Sequence, residues 1–186
     1  MMTTTKQMNP LKDLLVEELR DLLHAEGQLV KALPKMAAAA HHPKLKEGFL
    51  KHLKQTEGHV ERLNQAFEEL EVKVKPKPCK AMLGLMEEGK ETIEEGVDKM
   101  PNLADLALIA AAHKVEHYEI SGYSSARNLA LEAGEDEVAS LLAQTLAEEE
   151  ATANTLMDLS RPLMQEAGSE VHQSGGSMNR AKAHKA

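Results

Sequence analysis

Three glutamates stand where helices should bury apolar side chains. Around the stretch AAHKVEHYEISGY, residues 111–123, Ile109, Ile120 and Tyr123 share one helical side, and Glu116 lies in its middle. At roughly 100° per residue, Glu26 is centred the same way among Leu15, Leu19, Leu22, Val30 and Leu33. Glu149 is centred among Val138, Leu142, Ala153 and Leu156. In one further segment the central position is Thr56, with Phe49, Val60, Leu63 and Phe67 around it and His59 three residues on, at the stripe's edge. Glu119 stands in the same relation to Glu116.

One such glutamate would ordinarily reach out to water. Three at matching depth need another account, because burying an unpaired carboxylate is costly. Arg127, the basic residue on the Glu116 stripe, lies three turns away, roughly 16 Å at the usual helical rise. Protonation or bound cations remain. Carboxylates with one or two histidines suit a pair of hard or borderline metals, iron or manganese. The candidate ligands are therefore Glu26, His59, Glu116, Glu119 and Glu149. His113, one turn before Glu116, is a candidate to orient a ligand from behind. Glu57, about 100° round the helix from Thr56, is a reserve ligand. His24, His41, His42, His52 and His117 read as surface or helix-end residues, and in the acidic run 148–150 only Glu149 points inward. The chain holds no phosphate loop, no nucleophile–base arrangement and no paired CxxC.

Four long helices must carry these groups. The first opens at Asn9–Pro10, a capping residue followed by a proline suited to the first turn. Pro34 is a candidate kink near its end. The second runs from Pro43 through the Phe49–Phe67 stripe. The third starts at Pro101 and stops at Gly134, and the fourth follows directly. Between the second and third, VKVKPKP leads into a short amphipathic segment, 79–100, with Met82, Leu85, Met86 and Ile93 on one side. Two tight hairpins joined by one long crossover define an all-α, ferritin-like antiparallel four-helix bundle with a short extra helix in the crossover. Residues 1–9 read as a loose lead, 10–166 as the bundle, and 167–186 as a disordered, Gly/Ser-rich, mildly basic tail. In such a bundle helix midpoints meet, so the three glutamates converge at one level.

The composition agrees and narrows the function. Aromatic residues make up only 2 % and Leu, Ala, Glu and Lys dominate, which favours helix over strand. A net charge of −8 argues against nucleic acid as a partner. No apolar run is long enough to span a membrane and the first residues do not form a secretory signal. With one cysteine, Cys79, no intrachain disulfide can form, and a cytoplasmic location is expected. The apolar side of 79–100 and the Ala-rich start of the third long helix predict a homodimer, and the polar tail predicts no ferritin-like cage.

Five blocks in order, LHAEGQLVKALPKM, HLKQTEGHVERL, PCKAMLGLMEEG, AAHKVEHYEISGY and LLAQTLAEEEATANTLMDL, resemble the YciE/YciF family of bacterial stress-associated ferritin-like proteins over roughly residues 10–160. The resemblance implies a homodimeric four-helix bundle with an extra short helix and a dinuclear metal site similar to that of rubrerythrin. The ferritin-like pattern places a Glu on the first and third long helices and Glu-x-x-His on the second and fourth. Glu26 and Glu116 match the first pair. The second helix reads Thr56-x-x-His59 and the fourth Glu149-x-x-Thr152, each with one ligand replaced, while Glu119 adds a carboxylate. On this reading two iron ions are held, with Glu149 bridging, and manganese is the alternative metal. The implied function is a stress-response ferroxidase or an oxidase consuming O2 or hydrogen peroxide. The competing reading is a non-catalytic metal-binding or structural stress protein with a degenerate site.

Overall fold

Asn9 caps the first helix: its side chain accepts the backbone N–H groups of Leu11 and Lys12, and Pro10 occupies the first turn. In the computed structural model, which describes residues 9–75 and 77–183 and side chains through residue 169, every element is helical. These are α1 (Pro10–Ala39), α2 (Pro43–Glu69), α3 (Lys80–Gly96), α4 (Pro101–Ala133) and α5 (Asp136–Ala183). Gly134 ends α4 in the left-handed conformation, φ 79°, and the N–H of Glu135 returns to the carbonyl of Ala130. The loose lead expected before residue 9 lies outside the described residues, as do residues 184–186. Within 167–183 the chain is helical where a Gly/Ser-rich tail was expected: α5 passes Pro162 without ending, and Leu163 and Ala167, one turn apart, are both buried.

Each hairpin, α1–α2 and α4–α5, is antiparallel by its short turn. The pairs α1·α4 and α2·α5 close the square. The end of α1 (Leu29, Leu33) shares a core cluster with the start of α2 (Leu45, Phe49), the start of α4 (Leu108, Ile109) and the far part of α5 (Leu156, Leu163). Every neighbouring pair therefore runs antiparallel, and α2 and α4 point the same way. That geometry demands a connection returning along the whole bundle, and α3 packs on α1 and α4 as it does so. The all-α, ferritin-like arrangement read from the sequence is the arrangement observed.

The core is two apolar halves with a polar layer between them. One half holds Leu29, Leu33, Phe49, Ile109 and Leu156, and the other Leu15, Leu19, Leu22, Leu63, Phe67, Tyr123 and Leu142. Burial of each leucine of this kind contributes about 1.5–3 kcal/mol, and these layers hold the bundle closed around a middle that is not apolar. At Gly122 a Cβ would stand 2.8 Å from Leu22 Cδ2, so the missing side chain lets α4 approach α1 next to that middle.

Polar anchors fix the connections. Asp105 on α4 is buried and accepts the backbone N–H groups of His41 and His42 at 2.8 and 2.7 Å, pinning the α1–α2 turn. At the start of α3, Cys79 Sγ accepts the N–H of Met82, while the N–H of Cys79 donates to His24 Nδ1 at 3.0 Å. The Tyr118 hydroxyl donates to Asp21, so the Cys79 thiol, 2.9 Å away, donates to Tyr118. Burial first of all holds the Cys79 thiol above its ordinary pKa, in keeping with that role. His24 is thus a fastening point for the crossover and not a free surface residue.

Candidate metal centre

The polar layer gathers Glu26 from α1, His52, Thr56 and His59 from α2, Glu116 and Glu119 from α4, and Glu149 from α5, all buried. Glu26, Thr56, Glu116 and Glu149 are central on apolar stripes, so the same packing that buries the leucines carries the polar layer inward. Two sets of potential ligand atoms form. His52, Glu116, Glu119 and Glu149 make one, Glu26, His59 and Glu149 the other, and within each set the atoms lie within 4.8 Å of one another. Glu149 belongs to both. His59 Nδ1 lies 2.8 Å from Glu149 Oε1 and 3.2 Å from Glu26 Oε1, and His52 Nε2 lies 3.3 Å from Glu116 Oε1 and 3.7 Å from Glu149 Oε2.

These approaches are close without being well-directed hydrogen bonds. Eight buried atoms of the layer have no hydrogen-bond partner: Glu26 Oε2, His52 Nε2, His59 Nδ1, Glu116 Oε2, and both carboxylate oxygens of Glu119 and of Glu149. Folded proteins leave only a few such atoms unpaired and scattered through the chain, not eight in one layer, and among the described residues no Lys or Arg pairs with these four glutamates. The electrostatics carry the same strain. Burial pushes Glu116 up to about 8 and lifts Glu26, Glu119 and Glu149 above the usual carboxylate range. Burial lowers His52. It also opposes charge on His59, but contacts with Glu149 and Glu26 outweigh it and raise that imidazole to about 10.

One correction to the sequence reading completes the ligand set. His52, expected at the surface, is buried seven residues before His59 on the same face of α2. The fourth helix carries Thr152 where the ferritin-like pattern has histidine. Thr152 Oγ1 lies 3.4 Å from His52 Nδ1, so a ring from α2 enters the space left on α5 and turns Nε2 toward Glu116. Glu119 likewise offers the carboxylate that Thr56 does not. Thr56 itself is buried but donates its hydroxyl to the His52 carbonyl. The result is four carboxylates and two imidazoles, where motif matching alone counts two losses. The spacing 52–56–59 carried a signal for His52, since steps of four and three keep to one helical face.

The remaining candidates fall outside the cluster. Glu57 is exposed and cannot serve as a reserve ligand. His113 faces His117 on the outer side of α4 and orients no ligand. Glu148, read as part of a solvated run, is the residue that does orient one: His59 Nε2 donates to Glu148 Oε2 at 2.8 Å, and Arg62 clamps the same oxygen at 2.6 Å. With Nε2 so engaged, Nδ1 is the nitrogen free to bind a metal. On α4, the Tyr123 hydroxyl donates to Glu26 Oε1 and holds that carboxylate in place. A cavity of about 60 Å³ between α2 and α5, lined by Gly48, Gln55, Ala151 and Thr152, reaches His52 and Glu116.

Four glutamates carry four negative charges when ionised, which two divalent cations neutralise. Oxygen-rich donors with two imidazoles suit iron or manganese. The unpartnered oxygens and nitrogens, aimed at one another across the layer, fit such a pair.

Comparisons with known proteins agree with the fold. Escherichia coli (strain K12) YciF is 44 % identical over 153 residues, covering 82 % of this chain and 91 % of that protein. The crystal structure of the E. coli stress protein YciF superposes with a TM-score of 0.81 at 42 % identity, covering 85 % of this chain and 99 % of that one. YcfI of Rhodopseudomonas palustris, whose description offers a structural role, matches at TM-score 0.75 and 37 % identity, over 83 % and 97 % of the two chains. A family model described as a domain of unknown function, DUF892, matches residues 10–168, and the chain belongs to that family, as the resemblance to YciE/YciF proteins anticipated.

Proposed function

We propose that the chain binds two divalent metal ions, iron in the first place, in the middle of its bundle and uses them to consume O2 or peroxide. The observation that carries the reading is the set of unpartnered buried atoms from four glutamates and two histidines, with Glu149 common to both groups. A bound metal pair would supply the redox chemistry with the small oxidant. Glu149 would hold both ions, Glu26 and His59 one, and His52, Glu116 and Glu119 the other. Tyr123, and Glu148 with Arg62, would keep Glu26 and His59 from turning away. The cavity beside His52 and Glu116 has room for a molecule of the size of O2 or peroxide next to both side chains.

Manganese is the alternative metal, since the donor set suits both. The chain would act as a homodimer in the cytoplasm, in a stress setting like that described for E. coli YciF. Among the described residues no helix is long and apolar enough to cross a membrane. A second reading, metal held without turnover, draws support from Thr56: with no Glu at that position on α2, a second bridging carboxylate opposite Glu149 is missing.

Anaerobic Fe(II) titration followed by admission of O2 separates the readings. The proposal expects two Fe(II) bound per chain and O2 uptake lost in the Glu116→Gln, Glu149→Gln double variant. Binding of two Fe(II) with no O2 or peroxide consumed supports the storage reading. No binding overturns both.

A further inference from the structure

Outside the core, α4 carries a second grouping of metal-ligating nitrogens. His113 and His117 are spaced i, i+4 and share one face of the helix, with His117 exposed and His113 half-buried. Their Nε2 atoms face each other at 3.2 Å, with ring centroids 4.4 Å apart and planes at 83°. With metal–nitrogen bonds of about 2.0–2.1 Å, one cation between these atoms would subtend roughly 100°, close to tetrahedral and square-planar angles alike. The Nε2–Nε2 separation is therefore already one that a single cation shared by both rings would span. The buried cluster offers four carboxylates; this pair offers only imidazole.

We propose that His113 and His117 form a separate, solvent-accessible site for a borderline divalent cation that prefers nitrogen, of the class Cu(II), Ni(II) and Zn(II). Two protein ligands leave the other positions to water, so the ion is exchangeable. Glu116 and Glu119 on the same helix are buried whereas His117 is exposed, so this pair meets solvent where the inner cluster does not. The chain then has two metal addresses with different preferences: an inner one rich in oxygen, and an outer one made of imidazole that intercepts softer ions in the solvent.

The test uses the full chain and Cu(II). Equilibrium titration of the native protein and of the His113→Gln, His117→Gln double variant is combined with electron paramagnetic resonance. The site predicts one fewer Cu(II) per double-variant chain and loss of a signal split by two imidazole nitrogens. Each single variant should bind that ion at least about tenfold more weakly, a difference of about 1.4 kcal/mol. Mn(II) uptake by the core should not change in any of the three, which keeps this test separate from that of the inner site. Equal Cu(II) number and affinity in native and double-variant protein overturns the proposal, leaving a pair of rings that share only a hydrogen bond. Should the double variant not fold, His117→Gln alone decides, since that side chain is exposed: unchanged Cu(II) binding refutes the site.

Discussion

At the scale of single residues, the ionisation of the polar layer makes a prediction about pH. Without metal, burial raises Glu116 from 4.5 to about 8 and raises Glu26, Glu119 and Glu149 as well. His59 rises from 6.5 to about 10. Each raised group binds more protons in the folded than in the unfolded chain, so its contribution to stability falls as pH rises. His52, lowered from 6.5, works in the opposite direction below that value. Metal-free protein should therefore lose stability between about pH 6.5 and about pH 8, and saturating Mn(II) should flatten that slope. Melting temperatures across the window check it; a metal-free protein that gains stability toward pH 8 contradicts the assigned burial. Glu26, Glu116 and Glu149 were legible in the sequence because a carboxylate centred on an apolar stripe conflicts with its surroundings. His52 was not, because imidazole fits both a surface and a core edge, and its fit to Thr152 depends on how α2 and α5 align. Glu148 was hidden for a related reason: helical angles mark it as a flank residue, and only the position of His59 on the neighbouring helix gives it a task.

At the scale of elements, helix starts and stops were legible where local chemistry decides them, as at Asn9–Pro10 and Gly134. The far end of α5 was not, because the Gly/Ser-rich composition beyond residue 166 reads as a tail, whereas α5 continues through it and Ala167 is buried one turn after Leu163. Long-range anchors were equally hidden. Asp105 is an unremarkable acidic residue in sequence, yet it takes two backbone N–H groups from a turn more than sixty residues away. Replacing it with Ala would strand both donors, and hydrogen bonds to a charged group are typically worth about 1.5–3 kcal/mol. Asp105→Ala should therefore lower unfolding free energy by about 3 kcal/mol in urea melts, with Asp105→Asn intermediate because it keeps one acceptor. An Ala variant as stable as the native chain would show that the α1–α2 turn does not depend on this contact.

At the scale of the whole molecule, the connectivity was legible from loop lengths alone: two tight turns and one long return leave few alternatives to this bundle. What surrounds the bundle was less so. Leu83, Val97, Met100 and Leu103 are exposed on α3, at the α3–α4 corner and at the start of α4, with Val97 82 % accessible. Apolar groups placed so invite a partner, and a second copy is the expected one. Sedimentation at micromolar concentration should show a dimer, and Val97→Glu with Leu103→Glu should shift it toward monomer; a native monomer contradicts the expectation. The central claim, however, concerns the middle of the bundle. Anomalous diffraction from crystals soaked in Mn(II) tests it most directly. The account predicts two peaks about 3.5–4 Å apart, one beside Glu26 and His59, the other beside His52, Glu116 and Glu119, with Glu149 touching both. Crystals that take up Mn(II) at the surface but show no peak among these residues would contradict it.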